Sequence, residues 1–302
     1  MDVVVTGSSG LIGTALVDAL HAAGHHPIRL TRRDTSTARG RDDTLRWDPD
    51  AGTIDAAGFE GVDAVVHLAG ESIASHRWTA EQKQRILESR VKGTTLIAET
   101  IAASRRPPRV LVSASAIGFY GDRGAAPLTE TAPQADTFLA GVVGAWERAA
   151  DPARTAGIRV AHPRTGIVLS RDSGALPKLL PLFRLGLGGR FGSGRQYWSW
   201  ITLGDEVRAL MWLLSHEVSG PVNLTSPNPV TNAEFTKALG HVLGRPALLP
   251  VPAFGPKVVV GTELATELLF TSANVLPAAL LESGFEFEHP ALEPALRSVL
   301  ER

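Results

Sequence analysis

The 302-residue chain is 44% hydrophobic and 20% charged, with 30 basic residues against 31 acidic, two tyrosines and no cysteine. A near-neutral balance leaves no electrostatic footprint for nucleic acid or an anionic membrane, and no apolar run approaches the roughly 18 residues of a membrane-spanning helix. Zero cysteines exclude disulfides, thiolate metal sites, iron–sulfur clusters and cysteine nucleophiles, and fit a reducing, cytoplasmic compartment.

Met1 and Asp2 lead straight into three valines, residues 3–5, so a buried strand is expected at the start and no signal peptide. Thr6-Gly7-Ser8-Ser9-Gly10-Leu11-Ile12-Gly13 follows, and residues 14–20 are apolar at helical spacing. Strand, glycine-rich turn and helix in that order make a dinucleotide-binding unit. Gly7 permits the tight turn, Gly10 lets backbone approach a pyrophosphate, and Gly13 lets the helix lie close on the strand. The helix N-terminus adds free N–H groups and a positive dipole end.

A second strand over residues 25–30 ends at Thr31-Arg32-Arg33-Asp34. An acidic residue there would hold the ribose 2′-hydroxyl, whereas a guanidinium fork suits a 2′-phosphate. The two arginines point to NADP(H), with Asp34 keeping NAD(H) as the lesser alternative.

Residues 32–61 are polar, with a short strand expected at 45–48, and Asp42, Asp43, Asp48 and Asp50 lack the spacing of a calcium loop. A strong strand runs over 63–70, and a long helix over 80–104 closes at Pro107-Pro108. Further strands are expected at 109–113 and 158–162, with a helix over 136–156 between them. This alternation is an α/β, Rossmann-type doubly wound parallel sheet, whose ligands sit at the carboxyl ends of the strands. After Arg164 the sequence turns irregular, with Pro177, Pro181 and many glycines. Helices are then expected near 204–216, 231–243, 255–270 and 290–301. The division is a dinucleotide-binding domain over 1–164, rejoined by 203–225, and a smaller α+β substrate lobe over 165–302.

The Thr-Gly-x-x-Gly-x-x-Gly spacing resembles the short-chain dehydrogenase/reductase superfamily in its extended or atypical branches. His67-Leu68-Ala69-Gly70 resembles that superfamily's segment after the fourth strand, and Ser89-Arg90-Val91-Lys92-Gly93-Thr94 its Asn-Val-x-Gly-Thr, with Arg90 at the Asn. Residues 113–121, Ser-Ala-Ser-Ala-Ile-Gly-Phe-Tyr-Gly, are similar to its serine loop after the fifth strand. Arg164-Thr165-Gly166, the glycine-rich 183–196 and Ser199-Trp200-Ile201-Thr202 complete a likeness to the atypical nucleoside-diphosphate-sugar epimerase branch. That resemblance implies cofactor contacts at Gly7, Ser8, Ser9, Gly10, Leu11, Ile12 and Gly13, at Thr31, Arg32 and Arg33, and at Leu68, Ala69 and Gly70. Glu71, Arg90 and Arg164 join them. Thr202 departs from the pattern, standing where related sequences often carry histidine.

Short-chain dehydrogenases use Tyr-x-x-x-Lys on a helix, the lysine lowering the phenol pKa for proton transfer. Here Tyr120 and Tyr197 are followed four residues on by Gly124 and Ile201, so the pair is absent. The helix where it belongs reads Phe-Leu-Ala-Gly-Val-Val-Gly-Ala-Trp-Glu, in which only Glu147 exchanges a proton. The candidate catalytic groups are therefore Ser115, with Ser113 as the register alternative, to polarise a carbonyl, and Tyr120 as a substituted acid. Arg195, Tyr197 and Trp200 are the candidate substrate contacts, and no metal is expected. Two functions fit this pattern. One is an NADP(H)-dependent oxidoreductase or epimerase acting on a small carbonyl or nucleotide sugar, as a monomer or homodimer. The other is a non-catalytic NADP(H)-binding sensor or partner-binding protein.

Overall fold

Val3, Val4 and Val5 have no solvent exposure because their strand lies in the middle of a parallel sheet. The structure, a computed structural model, describes residues 1–32 and 44–301. Its first half runs β1 (Asp2–Thr6), α1 (Leu11–Ala22), β2 (His26–Thr31), β3 (Thr44–Asp48), β4 (Thr53–Ile54) and β5 (Ala64–His67). Then come α2 (Ala80–Ala102), β6 (Val110–Ser113), β7 (Ser115–Ala116), β8 (Pro127–Leu128), α3 (Phe138–Arg148), α4 (Asp151–Thr155) and β9 (Arg159–Thr165). The second half holds β10 (Ile167–Leu169), α5 (Leu176–Arg184), β11 (Tyr197–Trp198), β12 (Trp200–Thr202), α6 (Leu203–Ser215) and β13 (Gly220–Leu224). It ends with β14 (Val230–Thr231), α7 (Asn232–Val242), α8 (Phe254–Val260), α9 (Thr262–Ala265), β15 (Asn274–Val275), α10 (Ala278–Glu282) and α11 (Leu292–Glu301).

Among the described residues the main sheet is ordered β13-β9-β6-β5-β1-β2-β3-β4, parallel except for the β3–β4 pair, with β7 added beside β9. This is the doubly wound Rossmann-type arrangement. Side chains alternate across it with the two-residue period of a strand. Val3 and Val5 pack with Leu16 and Leu20 of α1 and Leu210 and Leu213 of α6. Val4, on the opposite face, packs with Ile97 and Ile101 of α2. A third core gathers Leu180, Trp198, Trp200, Phe235, Leu239 and Leu296 in the second half.

The β13 strand pairs in parallel with β9, Gly220 opposite Ala161, so the chain leaves the sheet after Thr165 and comes back to it. One short pairing, β8 with β15, stitches the halves together elsewhere, and within the second half Ile167 to Leu169 lie beside Trp200 to Thr202.

Four helices differ from expectation, the short α10 forming where none is expected. The helix over 136–156 divides into α3 and α4, because Pro152 at the start of α4 has no N–H to continue the ladder. The stretch 255–270 breaks at Gly261, whose φ of +100° no helix accepts, and ends in a single π-helical turn, Thr266–Phe270. Conversely, α5 forms inside the irregular segment: Pro177 sits in its first turn, where proline is tolerated, and its apolar face enters the third core. Among the described residues no helix is long and apolar enough to cross a membrane, and no group of three His, Asp or Glu is arranged to hold a metal ion.

Candidate active site

The glycine turn is built as tightly as its sequence demands. Gly7 has φ +63°, and a Cβ there would stand 2.9 Å from the Leu68 carbonyl carbon. Gly13 leaves no room for any side chain, since its Cβ would lie 2.2 Å from the Gly7 oxygen. Gly10 accepts the first helical bond from Thr14 at 2.9 Å, and no side chain caps the N-terminus of α1. The N–H groups of that first turn are therefore left to whatever approaches it. Ser8 is buried, while Ser9 and Gly10 are exposed. One contact had no signal in the sequence: Arg29 of β2 donates to the Ser8 carbonyl at 3.2 Å and pins the turn from below.

Thr31 closes β2 half-buried and Arg32 is exposed beyond it. Arg33 and Asp34 lie outside the described residues, as do Asp42 and Asp43.

At the end of β5, the Thr6 hydroxyl accepts from the N–H groups of Leu68 (3.0 Å) and Ala69 (3.1 Å) and meets His67 Nδ1 at 2.7 Å. With both its lone pairs engaged, the hydroxyl donates to Nδ1, which leaves the imidazole proton on Nε2. Burial, reinforced by the Arg90 charge, lowers the His67 pKa to about 3. His67 is thus a neutral core residue that orients the Thr6 hydroxyl, which in turn fixes the backbone of Leu68 and Ala69.

Arg90 donates to the Glu71 carbonyl at 2.9 Å, lies 4.9 Å over the Trp146 ring and flanks Gly70, where a Cβ would come within 3.3 Å of its guanidinium carbon. Burial lowers its pKa to about 10, against the opposing pull of Glu71. The Glu71 N–H bonds to Ser89 at 3.1 Å. Residues 68–71 and α2 therefore form one continuous wall.

A polar network sits at the carboxyl ends of β6 and β9. Ser115 donates to Glu147 at 2.6 Å, and Arg164 grips the same carboxylate through Nε at 2.8 Å and Nη2 at 2.9 Å. Arg164 also donates to the Tyr120 hydroxyl at 3.0 Å, which donates onward to Asn223 Oδ1 at 2.6 Å. The guanidinium stacks 3.6 Å over Phe119. Burial pushes the Glu147 carboxyl up, but the hydrogen bonds from Arg164 and Ser115 outweigh it and hold the group below its ordinary value.

These positions change what two candidates can do. Tyr120 is completely buried with its proton committed to Asn223, and burial raises its pKa despite Arg164. Trp200, equally buried, belongs to the third core and donates to the Asn228 carbonyl at 3.2 Å. Both side chains are sealed from solvent in this structure. Arg195 is exposed and Tyr197 half-buried. Ser113 is wholly buried, its hydroxyl without a partner among the described residues, and Ser115 is nearly so at 4% exposure, its hydroxyl committed to Glu147. Asn223 and Glu130, which accepts from the Asn223 N–H at 2.9 Å, are members of the network without a sequence signature.

The helix beside Ser115 is α3. Leu139 and Val143, one helical turn apart, are both buried on it, and a Cβ on Gly118 would lie 3.3 Å from Leu139. Apolar groups therefore occupy the face where a phenol and an ammonium would be needed. Glu267 of the π-helical turn caps the start of this helix, accepting from the Leu139 N–H at 3.0 Å and Thr137 at 3.2 Å. Nearby, Arg77 donates to the Val258 and Val259 carbonyls and Lys83 pairs with Glu263. Residues 258–267 are strapped across to the first half at three points.

Comparison with known proteins gives a consistent picture. The family described as NAD dependent epimerase/dehydratase family matches residues 3–225, and a domain of unknown function matches 251–299. An epimerase family protein of Mycobacterium leprae is 42% identical over 295 residues, 97% of this chain and 94% of its own. The crystal structure of human epimerase family protein SDR39U1 with NADPH superposes with a TM-score of 0.89 at 34% identity, covering 100% of this chain and 99% of that one. A nucleoside-diphosphate sugar epimerase from Corynebacterium glutamicum gives 0.81 at 36% identity, over 99% of this chain and 58% of its own.

Proposed function

The chain belongs to the NAD dependent epimerase/dehydratase family, and within it we propose an NADP(H)-dependent oxidoreductase or epimerase acting on a small carbonyl or nucleotide-sugar substrate. The observation that carries this reading is the Ser115–Glu147–Arg164 network together with an uncapped, glycine-rich nucleotide turn. The human relative solved with NADPH supports the choice of cofactor.

The turn fits such a ligand: glycines leave the approach bare, and α1 offers unpaired N–H groups. Gly7, Ser8, Ser9, Gly10, Leu11, Ile12 and Gly13 would hold the pyrophosphate. Thr31 and Arg32 would meet the ribose and its 2′-phosphate, and the wall of Leu68, Ala69, Gly70, Glu71 and Arg90 would line the path onward. When bound, the cofactor supplies a hydride site at the nicotinamide C4. Residues 1–164 with 203–225 serve as the cofactor unit, and the rest of 165–302 as the substrate lobe.

Ser115 does the substrate-facing work. Its own proton is committed to Glu147, so it does not polarise a carbonyl as its sequence context suggests; its oxygen is left as an acceptor for a substrate hydroxyl, orienting the carbon that bears it. Glu147, kept ionised by Arg164, fixes that rotamer. Arg164 and Tyr120 are positioning residues, and Arg195 and Tyr197 form the outer rim.

A second reading, a non-catalytic NADP(H)-binding sensor, is favoured by the absence of the Tyr-x-x-x-Lys pair from α3, where Leu139 and Val143 are buried and apolar. Purification without added cofactor, followed by titration with NADPH and turnover across a carbonyl and sugar-nucleotide panel, separates the two. Turnover that drops roughly 100-fold in Ser115→Ala with NADPH affinity unchanged supports the enzyme. Binding without turnover on the whole panel supports the sensor. Failure to bind NADPH overturns both.

A further inference from the structure

The second half carries a groove unconnected with the glycine turn. It is a concavity of about 400 Å³ running along the outer side of α7. Its floor is made of small residues one helical turn apart, Ala233, Thr236 and Gly240. Gly240 is required there: a Cβ would lie 2.9 Å from both the Ala247 side chain and the Arg245 carbonyl, so the chain could not fold back against the helix. The fold-back turns through Gly244 at φ +61° and is closed by Arg245 N–H to the Gly240 oxygen at 2.9 Å. The opposite wall is equally fixed, because the Arg190 carbonyl accepts from Val251 at 2.8 Å and a Cβ on Gly194 would touch Ala233 and Arg190 at 3.0 Å.

Three cations line this groove: Arg190, Lys237 and Arg245. Among the described residues none of them has a carboxylate within ion-pair distance, and Arg190 donates only to the Ser193 carbonyl at 3.2 Å. His241, also on the rim, is different, since Glu293 holds it at 3.0 Å. Three exposed cations without a carboxylate partner around one concavity give it a local positive potential that favours an anion. Guanidinium forks match phosphate oxygens, and a small-residue floor lets such a group approach the helix closely. Leu248, 86% exposed at the mouth, offers an apolar surface beside the charges.

We propose that this groove binds a phosphorylated small molecule, its phosphate held by Arg190, Lys237 and Arg245 and its organic part against Leu248. The site is independent of the glycine turn and of the reading of the active site above.

Calorimetric titration of the whole chain saturated with NADP⁺, with sodium pyrophosphate and separately with ADP, tests it. One additional saturable site is expected, weakened roughly tenfold or more by Arg190→Glu or Lys237→Glu and unchanged by Arg105→Ala, an exposed cation outside both sites. Both charge reversals lie on exposed positions, and unchanged thermal melting verifies that they fold. ADP binding more tightly than pyrophosphate assigns the organic part to Leu248, and equal affinities assign the site to phosphate alone. Absence of saturable binding by either probe, or binding that survives both reversals, overturns the proposal.

Discussion

Arg164 and Glu147 form a two-pronged ion pair almost sealed from solvent, the arginine side chain 3% exposed and the glutamate 14%. The pair joins the end of β9 to α3 and leaves the Ser115 hydroxyl a single direction to point.

Removing one partner strands the other charge in the interior. Arg164→Met is expected to lower stability by roughly 3–5 kcal/mol, and Arg164→Lys by somewhat less, since the ammonium cannot reproduce the fork. Urea unfolding of the two variants measures this. A loss indistinguishable from that of an exposed arginine would show that the pair is not holding the network.

Glu206 gives the stability curve its alkaline limb. Buried beside Thr165, which donates to it at 2.7 Å, its carboxyl is pushed by desolvation from 4.5 up to about 8. The folded state then binds more protons than the unfolded one between those values, so this contribution is complete below about pH 4.5 and lost as pH rises through 8. Glu206→Gln is expected to flatten that descent, by on the order of a few kcal/mol at its alkaline end. A wild-type slope that persists in the variant would assign the descent to another group.

His67 and His162 act in the opposite sense. Burial lowers them from 6.5 to about 3 and about 4, so the unfolded state takes up protons first as pH falls below 6.5. Stability is expected to decline on that side too, with His67→Gln shallower than the parent. Unfolding free energies measured at a series of acidic pH values decide the matter.

Two of the glycines separate folding from binding. Gly13→Ala drives a methyl into the Gly7 carbonyl at 2.2 Å and is expected to destabilise the turn itself. Gly10→Ala meets the same oxygen at a more forgiving 3.2 Å, so its melting temperature is expected to hold while NADPH affinity falls roughly tenfold. Equal losses of stability in both variants would contradict this division.

Arg32→Ala is expected to weaken NADPH roughly tenfold while leaving NADH nearly unchanged, because only the former carries a 2′-phosphate. Parallel fluorescence titrations make the comparison. Equal effects on both nucleotides would remove the arginine from cofactor choice.

The nucleotide turn was legible because its physics is local: Gly7 and Gly13 are needed within a few residues of the backbone they touch. The missing Tyr-x-x-x-Lys pair was legible for the same reason, a spacing on one helix. Partnerships across distance were not. Glu147 stood out as the only proton-exchanging group on its helix, but nothing near it announces Arg164, 17 residues on, or Asn223 beyond that. Tyr120 and Trp200 read as pocket residues because aromatic side chains serve equally well in cores and clefts, and only packing separates the two. The break at Gly261 and the capping of α3 by Glu267 depend on how the last third folds against the first, which no window of sequence contains.

The return of β13 to the side of β9 has a consequence for how the molecule is made. Residues 166–219 must be synthesised before Gly220–Leu224 can pair, so a nascent chain ending anywhere in that interval shows Arg159–Thr165 as a bare edge with unmet N–H and carbonyl groups. The cofactor half is therefore the first to be translated but not the first to be finished. Severing the chain after Arg164 would yield a sticky fragment rather than a minimal domain.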